Sequence, residues 1–220
     1  MQPPPVPRGI EVMHPHSGEE VIRVVEEFFL RFYDDNRPRR LLLGINPGRF
    51  GAGITGINFT APRQLKDHCG IQHQWKDSSE LSAEFIYAVI DAYGGPRKFY
   101  SDFFIGAVSP LGFTKHGKNI NYYDEPGLLK KVTPFIRATI QDQLSMGFLR
   151  DTCFCIGGEK NFKFLSQLNE KEKYFDKIVP LAHPRFIMQY RRKKKGEYVK
   201  EWIELLQSAN AGSFHAGLSK

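Results

Sequence analysis

Leu41-Leu-Leu-Gly-Ile45 runs directly into Asn46-Pro47-Gly48, and the reading of this join decides the fold. Five apolar residues without polar alternation predict a strand buried on both faces. Proline, which has no N–H, stops it. Upstream, Val21, Val24, Val25, Phe28, Phe29 and Phe32 recur at helical spacing, and Ser17 with Glu20 has the spacing of a capping box, so a helix is expected over Ser17–Tyr33. Downstream the alternation continues. A helix over Leu81–Tyr93 ends at Gly94-Gly95-Pro96, and a buried strand over Phe103–Val108 ends at Ser109-Pro110. Leu111–Asp124 reads as a polar, glycine-containing loop. Leu128–Met146 reads as a long helix holding Pro134, followed by a strand over Thr152–Ile156 and a helix over Asn161–Leu168. A strand over Ile178–Ala182 and a helix over Glu197–Gln207 complete the pattern. Apolar strands alternating with amphipathic helices specify an α/β fold, a three-layer α/β/α sandwich with a short, mainly parallel central sheet. One domain over 1–220 is expected, with 1–16 and 208–220 irregular.

The chain's 220 residues carry 41% hydrophobic and 25% charged side chains, the balance of a folded protein rather than a disordered one. No apolar run approaches the ~20 residues of a membrane span, and the proline-rich start lacks the pattern of a secretory signal. A cytoplasmic protein, in a bacterial-type cytosol or nucleoid, is the expectation. Cys69, Cys153 and Cys155 are too few for a disulfide framework, and Cys153 and Cys155 share one face of a predicted strand, so buried thiols are expected and a metal centre is not. The net charge of +7 favours a polyanionic partner. Five of the cations stand together in Arg191-Arg-Lys-Lys-Lys195, although a charge run of this kind also suits a solvated helix cap.

In a parallel sheet, chemistry gathers at the carboxyl ends of the strands. Those ends read Asn46-Pro47-Gly48, Ala107-Val108-Ser109-Pro110, Gly157-Gly158 and His183-Pro184. After the first of them, Gly51, Gly53 and Gly56 satisfy G-x-G-x-x-G. That motif belongs immediately between strand and helix; here Asn46-Pro47 intervenes, and Asp67 comes early for a ribose-binding acid. A nucleotide-binding transferase or hydrolase using the Gly51–Gly56 loop is therefore the alternative reading. In the other reading, the glycines let the backbone close around a flat ligand, with Phe50 and Phe59 as aromatic faces.

The stretch Gly44–Phe59 resembles the first motif of the SMUG-type (single-strand-selective monofunctional) uracil-DNA glycosylases, roughly Gly-Met-Asn-Pro-Gly-Pro-Phe-Gly-x-x-x-Thr-Gly-Val-Pro-Phe. Nine of sixteen positions agree: Gly44, Asn46, Pro47, Gly48, Phe50, Gly51, Thr55, Gly56 and Phe59. His183-Pro184 stands where the second family motif begins, and Phe104–Phe113 followed by Gly117-Lys-Asn119 is similar to a middle segment. The resemblance implies a uracil-DNA glycosylase-like fold and a monofunctional N-glycosylase of base-excision repair, which flips uracil out of single- or double-stranded DNA. It would hydrolyse the N-glycosidic bond without cofactor or metal and leave an abasic site. A monomer is expected.

By the same resemblance, Asn46 holds the attacking water and His183 donates a hydrogen bond to the base O2 as charge builds there. Phe59 stacks on the extruded base. Gly44, Ile45, Gly48 and Phe50 line its pocket, and Gly48 stands where other superfamily members carry a bulky aromatic. The family's uracil-reading asparagine falls on Ala107, whose methyl offers neither donor nor acceptor. Base choice broadened to deaminated purines such as hypoxanthine and xanthine is therefore expected, with Ser109, Asn119 or a backbone amide as the alternatives for the missing reader. The segment after His183 departs from the family's Ser-Pro-Arg-Asn-Pro but mixes apolar groups and cations as duplex-wedging segments do. Arg185, Phe186, Met188, Arg191, Arg192, Lys193 and Lys194 are thus the expected DNA contacts.

Overall fold

The computed structural model describes residues 3–14, 16 and 18–213, and for 211–213 the backbone alone. The chain opens with strand β1 (Ile10–Met13) and helix α1 (Glu19–Phe32), then enters β2 (Arg40–Gly44). Three helices follow, α2 (Ala52–Thr55), α3 (Pro62–Asp67) and α4 (Leu81–Tyr93), before α5 (Pro96–Asp102) leads directly into β3 (Phe103–Ala107). A hairpin of β4 (Gly112–Lys115) and β5 (Lys118–Ile120) precedes the long α6 (Pro126–Ser145). The remainder is β6 (Thr152–Ile156), α7 (Glu159–Glu172), β7 (Lys177–Leu181), α8 (Pro184–Tyr190), a 3-10 turn at Arg192–Lys194 and α9 (Lys195–Ser213).

The central sheet has the order β3-β2-β6-β7 and every neighbouring pair is parallel. Side chains alternate across a strand, and here the alternation assigns each residue to one of two cores. Leu42, Phe154 and Ile156 join Phe28, Phe85, Phe103 and Trp202 beneath α1, α4, α5 and α9. Leu41, Leu43, Cys153 and Cys155 join Val132, Ile136, Ile140 and Leu165 beneath α6 and α7. The result is a three-layer α/β/α sandwich. Cys153 and Cys155 are buried, and desolvation pushes the Cys155 thiol up to about 12, so both pack as small apolar groups. No helix among the described residues is long and apolar enough to cross a membrane.

Four local features differ from the sequence reading. First, β1, β4 and β5 form a separate antiparallel sheet, in a region read as an irregular terminus and a polar loop. These strands are three or four residues long and carry little periodicity. The available signal was His116-Gly117, both at positive φ (50° and 69°), a two-residue hairpin turn. Second, α5 starts at Pro96, which occupies the first turn of a helix where a missing N–H costs nothing. Third, α8 starts at Pro184 in the same way, so the expected wedge segment is helical. Helical spacing turns Ile187 and Met188 inward, and Met188, 4% exposed, is a core residue rather than a DNA contact. Fourth, α9 begins at Lys195 and continues to Ser213, past the expected end at Gln207. Helix α1 has Gly18 as its N-cap, and the expected cap at Ser17 lies outside the described residues.

Candidate active site

The carboxyl ends of β2, β3 and β7 open onto a cleft of about 190 Å³. Its wall brings together Gly44, Ile45, Asn46 and Gly48 from the end of β2, with Phe59 and Ala107. The β5 segment supplies Asn119, Ile120 and Asn121, and the β7–α8 junction supplies His183 and Arg185. Such a volume suits a single flat heterocycle better than a drug-sized ligand, for which ~300 Å³ is a lower bound.

Asn46 is held rigidly. Its Oδ1 accepts the Tyr122 N–H at 3.1 Å, and its Nδ2 donates to the carbonyls of Pro47 (3.3 Å) and Ile120 (3.4 Å). Both amide hydrogens are therefore engaged, while Oδ1 keeps one lone pair. The small sheet thus has a purpose for the site: it delivers the Ile120–Tyr122 backbone that fixes this side chain.

His183 caps α8, its Nδ1 accepting the Arg185 N–H at 3.0 Å. That bond places the imidazole proton on Nε2. Burial, reinforced by the Arg185 cation, lowers its pKa to about 4, so the ring is a neutral N–H donor at physiological pH. The Phe59 ring lies 6.4 Å from the imidazole, centroid to centroid, with the two planes tilted by 59°. Phe59 adopts φ of 54°, in the left-handed region, and its ring packs against Gly44, where an added side-chain carbon would lie 2.7 Å from its edge. Glycine at the end of β2 is what lets the aromatic wall approach this closely.

Other expected site residues are placed elsewhere. Ser109 is fully buried, with its hydroxyl donating to the Leu111 carbonyl at 2.9 Å, and does not line the cleft. Phe50 is 58% exposed, outside the cleft, with the Arg49 guanidinium 4.5 Å over its ring. Ala107 does line the cleft, presenting only its methyl. On α8, Phe186 and Tyr190 are exposed and Arg191 lies 5.6 Å over the Phe186 ring, beside the Arg192–Lys194 turn. Two arginine–phenylalanine pairs are thus exposed, one beside the β2 end of the cleft and one on α8. Glu80, the N-cap of α4, also lines the cleft and has no counterpart in the sequence reading. No local motif marked it, because its position depends on the long connection from α3.

The glycine loop does not cradle phosphate. The N–H groups of Gly51 and Gly53 donate to the Gly48 carbonyl, those of Ile54 and Thr55 to Gly51, and that of Gly56 to Ala52. Donors used within the loop are not offered to a phosphate, and the nucleotide-binding alternative is not favoured.

The family model of the uracil DNA glycosylase superfamily matches residues 30–207. Among solved structures, the crystal structure of wild-type Pedobacter heparinus SMUG2 is similar to the chain, with a TM-score of 0.93 and 45% identity. The match covers 96% of this chain and 93% of that one. No curated protein matches.

Proposed function

The chain belongs to the uracil DNA glycosylase superfamily, on its SMUG-type branch, and from that footing we propose that the cleft at the ends of β2, β3 and β7 receives one deaminated base extruded from DNA. The protein is a monofunctional DNA glycosylase of base-excision repair. The observation that carries the assignment of the site is the placement of Asn46, Phe59 and His183 in a single base-sized cleft.

The reaction breaks the C1′–N bond of a flipped deoxynucleotide, developing cationic character on the sugar and negative charge on the departing base. Water adds to C1′ and the base leaves with a proton. In our reading, the free lone pair of Asn46 Oδ1 accepts a hydrogen from the attacking water and aims the water oxygen at C1′. An amide is no general base, so its contribution is positioning. Backbone bonds from Tyr122, Pro47 and Ile120 keep the amide from rotating. His183 Nε2–H donates to the base carbonyl where charge collects, as a preorganised neutral donor. Phe59 provides the face on which the base stacks.

DNA is the partner. We assign phosphate contacts to Arg185, Arg191, Arg192, Lys193 and Lys194, and unstacking of the duplex to Phe186 and Tyr190 rather than to the buried Met188. With a methyl at Ala107, base choice extends beyond uracil to hypoxanthine and xanthine. The chain acts as one domain and as a monomer, which sedimentation of the free protein would check. The direct test is to incubate the protein with uracil-, hypoxanthine- and xanthine-containing oligonucleotides and cleave with alkali. Alkali-labile sites on uracil and on at least one deaminated purine are expected. Cleavage confined to uracil would overturn the extended base choice, and no cleavage of any substrate would overturn the function.

A further inference from the structure

Deamination changes the hydrogen-bonding edge of a base in one characteristic way. Cytosine to uracil and adenine to hypoxanthine both convert an amidine, with an amine donor beside a ring-nitrogen acceptor, into a lactam, with a carbonyl acceptor beside an N–H donor. Guanine to xanthine also creates a lactam edge. A reader common to these products must therefore offer a donor and an acceptor side by side. At Ala107 the chain offers neither, and the Ser109 hydroxyl is bonded to Leu111.

Two other side chains offer the pair. A side-chain carbon built on Gly48 would lie 3.5 Å from Asn119 Nδ2 and 3.6 Å from Glu80 Oε1. A donor and an acceptor from distant parts of the chain thus converge on one point of the cleft wall, over a residue that contributes no side chain of its own. Neither side chain has a hydrogen-bond or ion-pair partner among the described residues. Glu80 stands at the N-cap of α4, yet its carboxylate does not cap the helix. It reaches over Gly51 instead, so closely that any side chain there would collide with Oε2. Asn119 sits on β5 opposite Thr114 and lines the same cleft. An unpaired carboxylate in a partly desolvated wall is costly unless a ligand supplies its donor, and burial accordingly raises the Glu80 pKa, with Arg185 opposing.

We infer that Glu80 and Asn119 form the acceptor–donor pair that reads the lactam edge of the extruded base. Glu80 accepts the ring N–H, and Asn119 donates to the adjacent carbonyl. A parent cytosine or adenine would set its ring nitrogen lone pair against the Glu80 carboxylate and its amine against the Asn119 amide hydrogens. This inference rests on the proposed glycosylase reading of the cleft, and it puts base selection on Glu80, outside every family-like segment, together with Asn119, at the end of the middle one.

The test is single-turnover release of uracil and hypoxanthine from oligonucleotides by the wild-type chain, Glu80→Gln and Asn119→Ala, beside affinity of each for DNA already holding an abasic site. Exchanging the charged acceptor for a neutral amide oxygen weakens the hydrogen bond to the ring N–H, so release by Glu80→Gln is expected to slow about 5- to 10-fold on both substrates. Asn119→Ala is expected to slow both as well, and abasic-site affinity to stay within about twofold of wild type for either variant. Release by both variants within about twofold of wild type would overturn the inference and leave the glycosylase reading intact. So would an equal fall in abasic-site affinity, which would mark the pair as a DNA contact rather than a base reader. A wild-type chain that releases neither base would overturn both together.

Discussion

The side-chain oxygen of Asn46 accepts the backbone N–H of Tyr122 at 3.1 Å, across 76 residues of sequence. This bond joins the end of the central sheet to the segment leaving the small antiparallel sheet. It converts a flexible amide into a fixed one, with a single lone pair left for ligand. Position, rather than basicity, is what such a group can contribute.

Removal of that amide should therefore show in rate rather than in binding. Asn46→Ala is expected to lower the single-turnover rate on uracil-containing DNA by about 100-fold or more, the cost of a misplaced reactant. Affinity for abasic-site DNA should change little. Rates within a few-fold of wild type would contradict the positioning role.

The packing of Phe59 against Gly44 makes a steric prediction. Gly44→Ala puts a methyl 2.7 Å from the Phe59 ring, an overpacking expected to cost about 1–3 kcal/mol. Because the ring walls the cleft, catalytic efficiency should fall further than the reduced stability accounts for. Thermal melting beside kcat/KM measures both, and a variant with unchanged efficiency would separate the ring from the base.

His183 couples the site to pH with a definite sign. Its folded-state pKa of about 4 lies below the unfolded value near 6.5, so between those values the unfolded chain binds the extra proton. The stability associated with the neutral ring is whole above about pH 6.5 and is lost as pH falls toward 4. Denaturant unfolding at pH 7 and pH 4.5 should show a smaller stability difference for His183→Gln than for wild type; equal differences would refute the assignment.

Glu80 has the opposite linkage. Its pKa is raised by burial, so the folded chain binds the proton more tightly, and stability falls as pH rises through the folded-state value. Glu80→Gln, which cannot ionise, should raise the melting temperature at pH 7 and do so less at pH 4. A fall in melting temperature at pH 7 would mean that the carboxylate has a stabilising partner.

Charge on the α8–α9 connection should govern salt dependence. Reversing the charges of Arg191, Arg192, Lys193 and Lys194 is expected to weaken DNA binding. The slope of log affinity against log salt should also flatten, by about 0.9 for each phosphate that is no longer neutralised. An unchanged slope would place those cations away from the backbone.

How much of this was legible in sequence depends on the distance over which each signal acts. Leu41–Leu43, Phe103–Ile105 and Cys153–Ile156 announced a two-faced sheet because apolarity without alternation is a local signal. Asn46 and His183 were legible because they sit just past strand ends in recognisable motifs, and Phe59 because it closes the first of those motifs. The β4–β5 hairpin was not, since its strands are short and only His116-Gly117 marks the turn. Helix α8 was hidden because His183-Pro184 marks a strand end and the apolar residues after it suit a duplex wedge, although proline also suits a first helical position. The burial of Met188 and the solvent exposure of Phe50 follow from helix phase and loop packing, which no composition reports. Glu80 reaches the cleft only through tertiary folding of the chain between α3 and α4.

The most direct test of the shared cleft is single-turnover release of uracil by the wild-type chain, Asn46→Ala and His183→Ala, compared side by side at neutral pH. Wild-type release is expected, with each variant slowed by about 100-fold or more while abasic-site DNA is still bound. Variants that match wild type would show that the amide and the imidazole do not act on the same base.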